Sequence, residues 1–180
     1  LATVTSNYNG ADISCNNSSD GTASVTVSGG TGSYTFIWSD GQTNALATNL
    51  NGIPYSVTVT DGSGCTTVSS VSLGSPASLA GSSGSTNNVS CFGDSDGAAT
   101  VSATGGTGIY SYDIGSGAQS LGTFSGLSAN AYNITITDAN NCTDVVPVLI
   151  TQPAAALSAA VSSSSDPLCN GGSDGTIAVF

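Results

Sequence analysis

The chain has 180 residues, and its formal net charge at pH 7 is −11 because it carries 11 acidic residues and no Lys, Arg or His. A chain without cations cannot neutralise phosphates, which argues against nucleic-acid binding and against docking on an anionic membrane surface. No apolar segment approaches the roughly 20 residues of a spanning helix, so we expect no membrane insertion in this segment. The chain begins at Leu1 without a recognisable signal peptide, and we expect it to be a mature fragment of a longer protein.

Alternating β-branched and aromatic residues between Gly, Asn, Asp and Ser turns predict strands along the first half of the chain. The predicted strands span residues 22–27, 34–38, 43–50, 54–60 and 66–73. The final strand contributes three apolar residues whose spacing breaks strict alternation, which predicts a β-bulge there. The side chains expected to face the core are Ala23, Val25, Val27, Tyr34, Phe36, Trp38, Leu50, Tyr55, Val57, Val59, Val68, Val71 and Leu73.

The second half of the chain repeats the first at a spacing of 76–78 residues. A period of domain size predicts an array of like modules. We assign residues 1–76 to the first repeat, 77–153 to the second, and 154–180 to the beginning of an incomplete third. The recurring landmarks are Cys15, Cys91 and Cys169, then Asp20-Gly21, Asp96-Gly97 and Asp174-Gly175, and the strands around Tyr55 and Tyr132.

About five to seven short strands in each unit of about 77 residues predict an all-β fold, built from tandem small antiparallel β-sandwiches of immunoglobulin-like type. Glycines in the segment 29–32 supply positive φ between two strands, and residues 61–64 are expected to form a hairpin loop. Segments 77–80 and 155–158 resemble residues 1–4 and are expected to begin the first strand of the following repeat. Little linker would then remain, which predicts a semi-rigid rod.

The five cysteines recur in register, two in each complete repeat and one in the third. Such regularity favours structural disulfides and therefore an oxidising, extracellular location. Pairing within repeats would join Cys15 to Cys65 and Cys91 to Cys142. We favour this pairing because a small domain is stabilised most by its own cross-link. Pairing between repeats would instead join Cys65 to Cys91 and Cys142 to Cys169.

The residue types present give little support for catalysis. Without His, Lys, Arg or Glu, a nucleophile lacks its usual base partners, so we expect no enzymatic activity. Calcium is the one ligand that loops rich in Asp, Asn and carbonyl oxygens could hold. The candidate calcium ligands are Asp94 and Asp96, joined by Asp138 or Asp144 from another loop. Asx turns explain the same residues and are the favoured interpretation, and no other cofactor is expected.

The order of these landmarks resembles the SprB-type repeat, a family found in very large surface adhesins of gliding bacteria. The resemblance implies an extracellular, repetitive cell-surface or filament protein that is exported by type IX secretion. The resemblance covers the segments from Cys15 to Pro76 and from Cys91 to Pro153. Both copies contain a Gly-Gly-Thr-Gly loop, followed by a strand that reads Tyr-x-Val-Thr-Val-Thr-Asp in the first copy and Tyr-x-Ile-Thr-Ile-Thr-Asp in the second.

Three functions are compatible with the sequence. The favoured one is a structural spacer array of an extracellular cell-surface adhesin or filament, linked to gliding motility or surface attachment, with neighbouring repeats as its partners. An alternative is a polymerising subunit of an extracellular fibre or surface layer, whose terminal strand enters a neighbour. A second alternative is a calcium-dependent carbohydrate-binding repeat, whose partners are surface glycans.

Overall fold

A computed structural model describes residues 1–168 and 170–179 of the chain. Within these residues every helix or strand assigned is a β-strand, and fourteen strands follow one another. None of the described residues forms a helix that is long and apolar enough to cross a membrane. The strands divide into two groups of six with the same connectivity, followed by a final pair.

The first repeat is a sandwich of two three-stranded antiparallel sheets. Its strands are β1 (Ala2–Val4), β2 (Gly21–Val25), β3 (Thr35–Trp38), β4 (Leu46–Leu50), β5 (Pro54–Thr60) and β6 (Thr66–Ser72). One sheet has the order β1-β2-β4, and the other has the order β3-β5-β6.

The second repeat has the same two sheets. Its strands are β7 (Ala80–Asn87), β8 (Gly97–Thr104), β9 (Ser111–Asp113), β10 (Thr123–Leu127), β11 (Asn130–Thr137) and β12 (Thr143–Ile150). The sheet orders are β10-β8-β7 and β12-β11-β9. A last hairpin pairs β13 (Val161–Ser165) with β14 (Thr176–Val179), as β1 pairs with β2.

This connectivity confirms the predicted immunoglobulin-like sandwich. Immunoglobulin domains place strands A, B and E on one sheet and strands C, F and G on the other. Strands one, two and four of each repeat correspond to the first set, and strands three, five and six to the second. The hydroxyls of Tyr55 and Tyr132 also form hydrogen bonds with backbone groups four residues upstream, as in the tyrosine corner of immunoglobulin-like domains. The Tyr55 hydroxyl accepts the Asn51 N–H at 3.0 Å, and the Tyr132 hydroxyl donates to the Ser128 carbonyl at 3.0 Å.

Each sandwich encloses its own hydrophobic core. Two core residues, Ile13 and Val89, precede the cysteine loops, and Ile13, like Ala2 and Ala47, was not among the core residues predicted for the first repeat. The first core contains Ala2, Ile13, Ala23, Val25, Trp38, Ala47, Leu50, Tyr55, Val57, Val59 and Leu73. The second contains Val89, Ala99, Val101, Tyr112, Phe124, Leu127, Ile134, Ile136, Val146, Val148 and Ile150. The two clusters share no residue, so each repeat has the core of an independent module.

The prediction for β6 was wrong in two respects. Residues Pro54 to Thr60 pair with Ser72 to Thr66 without a register shift, so the strand contains no bulge. Regular alternation then turns Val68 outward, where it is 65% exposed, while Leu73 is buried. The apolar character of Val68 therefore does not mark the core face.

Close packing of the backbone explains why glycine recurs in the Asp-Gly dipeptide of each repeat. A Cβ atom on Gly21 would lie 2.8 Å from the Leu50 carbonyl oxygen, and one on Gly97 would lie 2.7 Å from that of Leu127. Both distances are shorter than real Cβ contacts allow, so a larger residue here would force the two paired strands apart. The glycine permits close backbone approach at the start of β2 and β8.

The loop predictions are largely confirmed. Gly29, Gly30 and Gly32 all have positive φ, and residues 61–65 connect β5 to β6 as a hairpin. The segment 77–80 leads into β7, which begins at Ala80. The segment 155–158 lies before β13, which begins at Val161, so that strand starts later than predicted. The domain boundaries at residues 76 and 153 fall between strands and stay a prediction.

Candidate functional site at the repeat junction

Each sandwich has two distinct ends, and its two cysteines lie at opposite ones. We call Cys15 and Cys91 the first cysteines, and Cys65 and Cys142 the second cysteines. The first cysteines precede β2 and β8, at what we call the lower end. The second cysteines lie in the β5–β6 and β11–β12 hairpins, at the upper end.

The lower end of repeat 1 is organised around the loop that carries Cys15. The Asp20 carboxylate accepts the Ser14 N–H at 3.0 Å and so closes the loop. The Asn16 amide donates to the Pro76 carbonyl at 3.0 Å and ties the chain that leaves the repeat to the same end. The cysteine is thereby presented where the first repeat leads into the second.

The upper end of repeat 2 is organised around Asp138, which is only 5% exposed. Its carboxylate accepts the N–H groups of Thr107 at 2.8 Å, Asn140 at 2.9 Å and Cys142 at 2.9 Å, and the Thr107 hydroxyl at 3.1 Å. These bonds hold the hairpin that carries Cys142 against the loop between β8 and β9. Asp61 holds Cys65 in the same way, accepting its N–H at 2.9 Å.

Three carboxyl groups have lowered pKa values for this reason. Burial of Asp138 raises its pKa, but the N–H donors of Thr107, Cys142 and Asn140 together hold that pKa below its usual value. The N–H groups of Thr31 and Cys65 lower the pKa of Asp61. The Ser90 hydroxyl, followed by its N–H, lowers the pKa of Asp96.

The structure joins Cys15 to Cys142 in a disulfide, with their Cα atoms 5.7 Å apart and a sequence separation of 127. The favoured prediction of Cys15–Cys65 and Cys91–Cys142 is therefore wrong. A strand of seven residues such as β5 spans about 23 Å, whereas a disulfide needs Cα atoms within roughly 4.4–6.8 Å. The alternative bond Cys65–Cys91 is also absent, because both thiols are free and exposed, and Cys169 lies outside the described residues.

Side-chain amides reinforce the junction between the repeats. The Asn140 amide donates to the Ser14 carbonyl at 2.9 Å and to the Tyr8 carbonyl at 3.2 Å. The Asn9 amide donates to the Asn140 side-chain oxygen at 2.6 Å. Asn9 and Gly10 both have positive φ and form a two-residue hairpin turn between Tyr8 and Ala11. Sequence reasoning missed this contact, although the Asn-Gly dipeptide signals such a turn.

The candidate calcium ligands do not come together. Asp96 accepts the Ser90 N–H at the lower end of repeat 2, whereas Asp138 lies at the upper end, beyond the eight residues of β8. The carboxylate oxygens of Asp96 and Asp138 already accept hydrogen bonds that close loops. Within residues 1–168 and 170–179, no three acidic or cysteine side chains gather as a metal ion would require. Calcium binding at Asp94 and Asp96 alone stays a prediction.

The family comparison matches the two segments that contain the first-cysteine loops. A model of the SprB repeat matches residues 7–43 and 83–119. The chain contains two SprB repeats. The resemblance inferred from the sequence is thus confirmed, and the SprB repeat is typical of cell-surface proteins.

The other comparisons add less. No curated protein matches the chain. Among solved structures, the three N-terminal domains of the Highly Immunogenic Outer Capsid protein (Hoc) of bacteriophage RB49 are similar, with a TM-score of 0.47 and 15% sequence identity. That likeness covers 93% of this chain and 63% of the phage chain, so the SprB-repeat chain spans less than two thirds of that structure.

Protonation of Asp138 is expected to destabilise the second SprB repeat. Because the folded-state pKa lies below the unfolded-state value of about 3.9, this group stabilises the fold above roughly pH 4, and the stabilisation is lost as pH falls through the folded-state pKa. D138N is expected to lower the free energy of unfolding at pH 7 by about 1–3 kcal/mol, because the amide loses acceptors that backbone N–H groups require. Urea unfolding followed by circular dichroism at pH 7 and pH 3 measures both effects.

The matched control is D61N, at the equivalent and more exposed carboxylate of repeat 1. It is expected to cost less stability than D138N. Equal losses in the two variants would show that the buried position of Asp138 does not increase its contribution to stability. An unchanged acid dependence in D138N would show that protonation of Asp138 does not destabilise the repeat.

Proposed function

We propose that this chain is part of a structural spacer array in an extracellular cell-surface adhesin or filament that serves surface attachment or gliding motility, exported by type IX secretion. The observation that carries the proposal is the end-to-end junction, where the lower end of one SprB repeat is bonded to the upper end of the next through Cys15 and Cys142. A spacer must transmit load between modules, and a covalent bond between consecutive modules does so. The disulfide is also consistent with an extracellular location.

The repeat architecture supports a mechanical role over a binding role. Trp38 is 1% exposed and its indole donates to the Asn44 carbonyl at 2.8 Å, so it is not available to stack on a sugar. The carboxylates that a calcium-dependent lectin would use are engaged in closing loops. These features favour the spacer over the carbohydrate-binding alternative.

Single-molecule stretching of the chain from its two ends tests the proposal. The disulfide bridges a sequence separation of 127, which corresponds to about 420–460 Å of extended chain. We expect this length to be missing when the oxidised protein is stretched, and to appear once a reductant is added. The matched control is C65S, which leaves the disulfide intact and is expected to behave as the parent chain.

Three results would contradict the spacer. One is full extension of the oxidised chain. Another is non-covalent, concentration-dependent polymerisation of the chain at low micromolar concentration through strand donation, which would favour the fibre subunit. The third is retention on a glycan surface that requires calcium, which would favour the binding module.

A further inference from the structure

Two exposed thiols remain unexplained by the junction already described. Cys65 and Cys91 are both free and exposed. Cys65 is the counterpart of Cys142 in the repeat, and Cys91 is the counterpart of Cys15. The Cys15–Cys142 bond therefore indicates which kind of partner each free cysteine can bond: a first cysteine for Cys65, and a second cysteine for Cys91.

The loops that carry the free thiols already have the conformation of the bonded ones. Asp61 accepts the Cys65 N–H at 2.9 Å, as Asp138 accepts the Cys142 N–H at 2.9 Å. At the other end, Asp96 accepts the Ser90 N–H at 3.0 Å, as Asp20 accepts the Ser14 N–H at 3.0 Å. Neither thiol would need a rearranged loop in order to bond.

We propose that Cys65 and Cys91 are attachment points for further repeats of the same kind, joined by one rule. The first cysteine of each repeat bonds to the second cysteine of the repeat that follows it. Cys65 thus receives the first cysteine of a repeat seated on the upper end of repeat 1. Cys91 receives the second cysteine of a repeat seated on the lower end of repeat 2. This inference rests on the proposed function, because it takes end-to-end repeats to be the working arrangement.

Both cysteines recur in each complete repeat, whereas the amide contacts do not. Ser63 stands where Asn140 stands in repeat 2, so the upper end of repeat 1 lacks the bridging amide. The hairpin turn at Asn9 also has no counterpart before Cys91, because β7 continues to Asn87. The covalent bond is therefore the contact that the repeated sequence preserves, and Asn140 strengthens one junction in particular.

Bond formation needs an oxidant, for which we name a small-molecule disulfide such as oxidised glutathione. One cysteine thiolate attacks it, forms a mixed disulfide and releases one glutathione thiolate. The partner cysteine thiolate then attacks the protein sulfur of the mixed disulfide and releases the second glutathione. Two protein thiols are oxidised to one disulfide, and one oxidised glutathione is reduced to two thiols.

Two variants of the whole chain test the rule, both carrying C169S because Cys169 occupies the sequence position of a first cysteine. C65S/C169S keeps Cys91, and C91S/C169S keeps Cys65. Each is incubated with oxidised glutathione alone and as an equal mixture, and covalent dimers are resolved by non-reducing electrophoresis and peptide mapping. Circular dichroism and an intact Cys15–Cys142 bond confirm that both variants are folded.

We expect mixed Cys65–Cys91 dimers in about tenfold excess over the two homodimers, which corresponds to ~1.4 kcal/mol of docking free energy. Homodimers as abundant as mixed dimers would show random thiol oxidation and overturn the rule. Absence of any dimer would also overturn it. These outcomes concern only the free thiols, so the stretching experiment on Cys15–Cys142 can succeed or fail independently.

Discussion

Replacing both Cys15 and Cys142 by serine is expected to lower the free energy of unfolding by about 2–4 kcal/mol. The bond bridges a sequence separation of 127, so its loss frees a large loop in the unfolded chain. The bond also couples two modules whose cores share no residue. We therefore expect the variant to unfold in two separate transitions.

Urea titration with two probes measures this effect. Trp38 is the only tryptophan and lies in the first core, so its fluorescence reports repeat 1 alone, while circular dichroism reports both repeats. The matched control is C65S/C91S, which alters two exposed thiols and is expected to change stability by no more than about 0.5 kcal/mol. A comparable loss in both double variants would mean that the cross-link contributes nothing specific.

Replacing Trp38 by alanine is expected to cost about 3–5 kcal/mol. The side chain is 1% exposed, and its removal leaves a cavity between the two sheets of repeat 1. It also leaves the Asn44 carbonyl without its donor. Because a small β-domain has a stability of only about 5–15 kcal/mol, repeat 1 should unfold far below the temperature at which repeat 2 unfolds.

Scanning calorimetry separates the two transitions. The matched control is I37A, on the same strand but 61% exposed, which is expected to change stability by about 0.5 kcal/mol or less. A single transition in W38A, lowered as a whole, would show that the two repeats unfold as one cooperative unit. That result would contradict the separate cores.

The strands could be predicted because the local alternation of apolar and polar residues within each repeat marks them. Alternation placed Tyr55, Val57 and Val59 inward, and the structure buries all three in β5, with the bounds predicted. The bulge predicted at Val68 was wrong, because strict alternation continues along β6 and turns this apolar side chain to solvent. The sequence supplies the period of a strand but not which apolar side chain lies on the covered face.

The disulfide could not be predicted from spacing. Cysteine positions along the chain do not say at which end of a sandwich each one lies, and that depends on the direction of β2 relative to β5. Once the sheets are known, Cys15 and Cys65 fall at opposite ends, and the only second cysteine beside Cys15 is Cys142 of the next repeat. The role of Asn140 was hidden for the same reason, since it acts across a junction between modules.

The bond between Cys15 and Cys142 also determines how the protein withstands backbone cleavage. A protease that cuts once between these residues leaves two fragments that remain tied through the sulfur bridge. The chain offers no Lys or Arg, so enzymes of trypsin specificity find no site in it. After a single cut in this stretch the two fragments would therefore stay covalently joined until a reductant breaks the disulfide, so cleavage of the main chain need not divide the molecule.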